Sequence, residues 1–289
     1  MVDVITLNVV GLAAGIAALS AMPTDTVVEL SRGDRVILEN LTGEISVRAW
    51  DRDELELQGE EGEMPLVVRR SGSTVRITRD DRKGRRRSVE ASVRVPAWVD
   101  VEIGGPSLDV WVDGIDGRLE VNSVSGDVWI ENAGGTVRVR TIEGEIDVVG
   151  ARAGVDASSQ SDEVRLRDVR GPVNVHSGSG DLELIDIRSE SVRAETQDGD
   201  ISFSGTIADD GDYRFFVHDG DAMIAIPPNT NARVAVSTFD GDFESEFPVL
   251  IERFTGGREF DFTLGDASAR IEIQVFDGEI RLLERRERR

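Results

Sequence analysis

The residues best placed to do chemistry are carboxylates that follow glycine. Gly43-Glu44, Gly126-Asp127, Gly144-Glu145, Gly180-Asp181, Gly199-Asp200, Gly220-Asp221, Gly241-Asp242 and Gly278-Glu279 each precede an apolar residue. Stacked, such acids would form a ladder able to bind divalent cations. Calcium, however, wants about six to eight converging oxygens. The calcium-binding nonapeptide pattern, with several glycines per repeat, is not present. Two carboxylates one strand spacing apart repel by only about 1 kcal/mol in water, so a ladder stands without an ion. The expected role is therefore a corner, with glycine supplying a positive φ and the acid facing water. No metal and no cofactor is expected.

Trp111 and Trp129 make a second candidate. They lie eighteen residues apart, each between two aliphatic neighbours. On a strand both would point outward, and stacked exposed indoles suit a sugar or a protein partner. The competing expectation is that the N-terminal segment, with Trp98 or Trp50, folds over them. These two tryptophans are the only candidate binding surface that the sequence offers.

Catalytic constellations are missing. The two histidines, His176 and His218, show no metal-ligand spacing, and His176 is expected to face outward from its strand. Ser177-Gly178-Ser179-Gly180 reads as a corner, with neither a nucleophile elbow nor a phosphate loop around it. Polysaccharide lyases and hydrolases do use β-helices, with acids and bases clustered in a lateral groove. Here the acids fall in a regular column, so no enzymatic activity is expected.

The elements that would carry these residues repeat every eighteen positions. Val110, Val128, Ile146, Val164 and Leu182 are aliphatic, as are Val112, Ile130, Val148, Leu166 and Leu184. Further columns run Ile115, Ala133, Ala151, Val169, Ile187, then Leu119, Val137, Val155, Val173, then Val121, Val139, Ala157, Val175. Within one repeat, Val128-Trp129-Ile130 and Val137-Arg138-Val139 alternate apolar and polar, as half-buried strands do. Gly, Asn and Ala separate them at bends. A lone coil cannot bury its inner face, so coils must stack, strand on strand in parallel, at roughly 4.8 Å per coil. The expected fold is all-β: a single-stranded parallel β-helix (β-solenoid) of about 18–21 residues per coil and roughly a dozen coils.

The outward columns support that register. Glu120, Arg138, Asp156 and Asn174 form one, and Asp147, Arg165 and Glu183 another. Opposite charges alternate from coil to coil, and a slip by one coil would place like on like.

Composition narrows the function. The chain of 289 residues carries a formal charge of −23, which argues against nucleic acid and against simple adhesion to an anionic bilayer. Hydrophobic residues make up 39%, enough for a core, but aromatics only 5%, which suits a narrow interior of Val, Ile and Leu. There are no cysteines, so disulfides, thiolate metal sites and cysteine nucleophiles are excluded.

Along the chain, residues 1–23 read as a signal peptide or N-terminal anchor. An apolar run over 4–22 ends in Ala18-Leu19-Ser20-Ala21, although Asp3 stands where a basic residue is usual. Export is expected by either route, with no other membrane contact. Residues 24–289 are expected to form one solenoid domain, in three stretches. The first, 24–104, holds N-terminal coils and a hairpin excursion over 65–79, turning at Ser71-Gly72-Ser73. The second, 105–205, holds the regular coils. The third, 206–289, holds looser coils with an insertion at Ala208-Asp209-Asp210-Gly211-Asp212. Gly278 lies 37 residues beyond Gly241, which suggests two coils between them, and Leu282–Arg289 reads as a frayed cap. The basic run Arg82-Lys83-Gly84-Arg85-Arg86-Arg87 reads as a solvated loop.

Several ordered features resemble a known family. Leu38-Glu39-Asn40-Leu41-Thr42-Gly43-Glu44-Ile45-Ser46-Val47 with Trp50-Asp51-Arg52-Asp53 is similar to the opening of the bacterial putative-adhesin domain (a DUF4097-like β-solenoid). The serial Ser-Gly-Asp-Val and Glu-Gly-Glu-Ile corners resemble its middle. Ile226-Pro227-Pro228-Asn229-Thr230-Asn231-Ala232, Thr238-Phe239-Asp240-Gly241-Asp242 and Glu246-Phe247-Pro248 resemble its close. The resemblance covers roughly residues 30–283, with departures at the Asp162-Glu163 corner, which lacks glycine, and at the 82–87 basic loop. It implies a right-handed coil in an exported or envelope-associated protein, and it brings no catalytic residue with it.

The expected function is a non-enzymatic, exported surface for binding or adhesion, in the periplasm or on the cell surface, with an envelope glycan or protein as ligand. The alternatives are a periplasmic structural or stress-sensing component with a protein partner, and, less favoured, a carbohydrate-active enzyme.

Overall fold

The computed structural model describes residues 25–59, 66–79, 88–248, 253–255 and 259–285. The apolar N-terminal run and the 82–87 basic run lie outside them. The described residues form an all-β, solenoid-like stack built on the eighteen-residue repeat. Val128, Trp129 and Ile130 pair in parallel with Val110, Trp111 and Val112 on one side and with Ile146, Asp147 and Val148 on the other. On the next face of the coil, Val137 and Val139 lie in parallel between Leu119 and Val121 and Val155 and Ala157. The inward columns merge into one continuous core from Leu30 to Leu282. Most of its side chains are β-branched or leucine, which pack well on a pleated surface.

Glycine closes the corners because backbone stacks on backbone there. A Cβ on Gly144, at φ 135°, would lie 2.2 Å from the carbonyl oxygen of Gly126 one coil away. Just inside the same corner runs a column of hydroxyls, Ser123, Thr141, Ser159, Ser177 and Thr196, all buried. They bond main-chain groups of the turn: Ser123 donates to the Ser125 carbonyl, Thr141 to Gly144 and Thr196 to Gly180. Buried polar atoms are thereby satisfied locally. Where glycine is lacking, at Asp162, the Ser159 hydroxyl accepts the Asp162 N–H and the Asp162 carboxylate accepts the Gly144 N–H.

At both ends the spatial order of coils departs from chain order. Arg35–Glu39 and Thr42–Trp50 are followed in the chain by Thr74–Arg79 and Val89–Pro96. In space, the 35–50 coil lies between that 74–96 coil and Asp100–Asp113, in parallel with both. The C-terminal end repeats the arrangement. Ala269–Asp277 and Ile280–Glu284, the last strands, insert between Ile201–Asp219 with Ala222–Ile226 and Ala232–Asp240 with Phe243–Ser245. Leu282 and Ile280 are fully buried and Arg285 is bonded to Ile226 and Asp186, so the stretch 280–285 is an interior strand and not a frayed cap. Among the described residues, the interval from Gly241 to Gly278 likewise holds no second coil. It contains Glu259–Leu264, antiparallel to Ala232–Asp240.

Antiparallel strands finish the outermost coils. Leu66–Ser71 covers Thr74–Arg79 as the hairpin expected at Ser71-Gly72-Ser73, and Glu54–Gly59 covers Val89–Pro96. Asp25–Glu29 lies outside Glu54–Gly59, and Arg253–Thr255 outside Glu259–Leu264. An open parallel edge would template further chains, and these strands cover it.

Candidate functional site

The strands Asp100–Asp113 and Val128–Glu131 bring Trp111 and Trp129 into register on the outer face. Their rings stack with centroids 4.3 Å apart and planes 17° apart. Trp111 is 44% exposed. The tryptophans expected as a cover are held elsewhere. Trp50 donates its indole N–H to the Glu54 carbonyl, and Trp98 donates to Asp53 under the Arg32 guanidinium. The column continues to Ser46 on one side and to Asp147, Arg165 and Glu183 on the other. The pair is therefore a flat indole platform with a charged margin, fixed by parallel sheet on both sides.

The margin's ion pairs run both within the column, where Arg165 lies 3.9 Å from Glu183, and outside it. Arg165 bonds Glu145 at 3.0 Å and also Glu163, while Asp147 pairs with Arg167. The hydrogen bond that Arg165 donates to Glu163 outweighs desolvation and raises the Arg165 pKa. On the adjoining face the column Glu120, Arg138, Asp156, Asn174 forms as expected. Asp156 accepts from Arg138 at 2.9 Å and from Asn174 at 3.0 Å. Burial pushes its carboxyl up, but those bonds and the charges of Arg138 and Arg140 outweigh it, so it sits below the ordinary range.

The corner acids do align. Glu90, Glu44 and Asp109 are in register, and the row continues through Asp127, Glu145, Glu163, Asp181, Asp200, Asp221 and Glu279. The aspartates face along the row: each accepts the main-chain N–H of the next acid, for instance Asp221 N–H to Asp200 at 2.8 Å. Their oxygens are spent on backbone rather than converged on a point. Among the described residues no group of three or more His, Cys, Asp and Glu is placed to hold a metal ion.

One cluster escapes the sequence reading. Phe239 and Phe276 stack at 4.6 Å with planes 1° apart, and His218 lies 4.9 Å from Phe276. Phe239 and Phe276 are 54% and 45% exposed, and Phe216, also exposed, shares their face two residues before His218. The available signal was the residue before each Asp-Gly corner: His218-Asp219-Gly220, Phe239-Asp240-Gly241 and Phe276-Asp277-Gly278. Coil inversion hid it, because Phe276 stacks on Phe239 without following it by one repeat. His176 lies on the outer face, 4.0 Å from Glu195.

A family model described as Toastrack DUF4097 matches residues 24–283, nearly the whole chain. The chain belongs to the Toastrack DUF4097 family. Two solved structures are similar to this Toastrack chain. One is described as a "putative adhesin" from Bacteroides fragilis, at 15% identity and TM-score 0.45, covering 91% of this chain and 98% of that one. The other is a "putative cell adhesion protein" from Clostridium sporogenes, at 10% identity and TM-score 0.30, covering 91% and 100%. No curated protein matches the chain. Among the described residues of this Toastrack domain, no helix is long and apolar enough to cross a membrane.

Proposed function

We propose that this Toastrack chain is a non-enzymatic, exported binding surface at the cell envelope, wound as a right-handed, single-stranded parallel β-helix. The observation that carries the reading is the stacked Trp111–Trp129 pair, with Trp111 exposed and Trp129 half-buried, on a face paired in parallel on both sides. Two indoles held flat lose little side-chain freedom on binding, and their faces suit the C–H surface of a sugar or an apolar patch of a protein. The acidic, corner-bonded ladder supplies solubility and register in this reading, not chemistry. Residues 1–23 would direct export or anchor the chain.

The test is location and then binding. Intact native cells are treated with external protease, and the chain is followed. Shaving from intact cells is the expected result, and full-length recovery in the cytosol would sink the proposal. Replacing Trp111 and Trp129 together by alanine should abolish capture of the envelope ligand while leaving the thermal unfolding curve in place.

A second reading has its own observation. The Phe239–Phe276–His218 stack with Phe216 is an exposed aromatic patch near the C-terminal end of the coil stack. Such patches mark protein contacts. A periplasmic structural or stress-sensing component would use it. Replacing Phe239 and Phe276 by serine would then release a partner that the tryptophan variant retains.

A further inference from the structure

A groove of about 720 Å³ crosses the coil face that carries Arg138 and Asp156, away from the tryptophan pair. Its volume falls within the range of small-ligand sites. Its shape follows from one column of short residues. Thr136, Gly154, Pro172 and Ser191 occupy successive coils at the start of the strand, linked by Leu119 N–H to Thr136 and by Val137 and Val155 N–H to Gly154 and Pro172. Arg118 closes this row at one end, while Arg138 and Arg193 rise beside it.

The lining of this groove holds more guanidinium than carboxylate, unlike the molecule as a whole. The chain carries −23, yet the groove is lined by Arg118, Arg138 and Arg193 against only Glu120 and Asp156. Asp156 is paired with Arg138 and Glu120 accepts from the Asn122 amide at 3.3 Å, while Arg193 pairs through one nitrogen with Glu195, which lies outside the lining. Arg118 makes no ion pair among the described residues. Its side chain is exposed, and its main-chain N–H donates to the Asp100 carboxylate at 2.8 Å. Arg118 and Arg193 lie four coils apart, roughly 19 Å at the usual strand spacing. One small anion cannot reach both. An extended chain of sugars with a carboxylate on successive residues can, since a guanidinium takes a planar carboxylate in two parallel bonds. Thr136, Asn174 and Ser191 offer hydroxyl and amide partners between the anchors, and Pro172 offers a flat apolar face for a pyranose ring.

We propose that this groove binds an acidic oligosaccharide of the uronate class, end to end across the coils. The site is separate from the tryptophan pair, so it can stand whether or not that pair binds a ligand.

The experiment titrates the full chain by calorimetry with tetragalacturonate, and with maltotetraose as the uncharged reference. Expected is one saturable site for the uronate, no heat with the neutral sugar, and an affinity that weakens as salt rises. Arg118→Ala with Arg193→Ala should weaken binding tenfold or more. Thr136→Trp, which keeps every guanidinium but fills the floor, should do the same. Thermal melts that match the parent keep both variants interpretable. The Trp111→Ala, Trp129→Ala double variant should bind the uronate unchanged. No saturable binding, equal binding of the neutral sugar, or affinity untouched by either groove variant overturns the proposal. So does loss of uronate binding in the tryptophan variant.

Discussion

The main-chain N–H of Asp127 donates to the carboxylate of Asp109, 3.0 Å away on the preceding coil. The same bond links Glu145 to Asp127, Asp200 to Asp181, Asp221 to Asp200 and Glu279 to Asp221. At each corner glycine turns the chain out of the strand pattern, and the aspartate accepts the N–H that the turn leaves over. A column that resembles a cation site is thus a device for joining coils.

Substitution at Asp200 separates acceptor from charge. Asp200→Ala removes the acceptor for Asp221 and should cost about 0.5–1.5 kcal/mol. Asp200→Asn keeps an oxygen there and relieves repulsion from Asp181 and Asp221, so it should cost less than half as much. Urea unfolding at two salt concentrations checks this. Equal loss for both substitutions would mean that charge, not the hydrogen bond, matters at the corner.

Asp156 sets an acid limb of stability. Its folded pKa is depressed by Arg138 and Asn174 against the upward push of burial. Its contribution is therefore fully present above the unfolded carboxylate range and is lost as pH falls through the folded value. Asp156→Asn should flatten the stability–pH profile below about pH 4 and leave the slope near neutrality unchanged. A change confined to neutral pH would contradict the assignment.

Tyr213 pins the second of the two register shifts between Leu182–Asp198 and Ile201–Asp219. Its hydroxyl accepts the Ala208 N–H at 2.8 Å and donates to the Ser189 carbonyl, at the root of the 208–212 insertion. Desolvation raises its pKa, so it stays a neutral phenol. Tyr213→Phe leaves a buried donor and acceptor unpaired and should destabilise by about 1–3 kcal/mol. Hydrogen exchange should quicken first at Ala208. Unchanged protection there would show that the insertion is held by other contacts.

Removing the last two strands tests the coil order. With 269–289 deleted, Ile201–Asp219 and Ala232–Asp240 each lose a parallel neighbour. Exchange protection should collapse across 201–245 and persist at Val137–Val175. Loss limited to the residues beside the cut would point to simple fraying.

The regular coils were legible because position in the repeat decides burial. Val110, Val128 and Ile146 face inward for the same reason, and Trp111 and Trp129 outward. The ends were not legible. Ile45 and Val47 fit the inward columns equally well beside Val110 and Val112 or beside Ala91 and Val93, and the structure places them between the two. Periodicity says which way a side chain points but not which coil is its neighbour. The antiparallel caps carry the same alternation as the coils, so direction was hidden too. For the same reason the Trp pair could be anticipated and the Phe239–Phe276 stack could not.

Coil inversion bears on how the molecule yields to force. A solenoid wound in chain order would peel one turn at a time when drawn from its last residue. Here the final strand, Ile280–Glu284, is clamped between Ala222–Ile226 and Phe243–Ser245. A pull on the C-terminus must shear two hydrogen-bonded seams together before any coil can unwind, so a tether at that end would hold load that an outermost coil would shed.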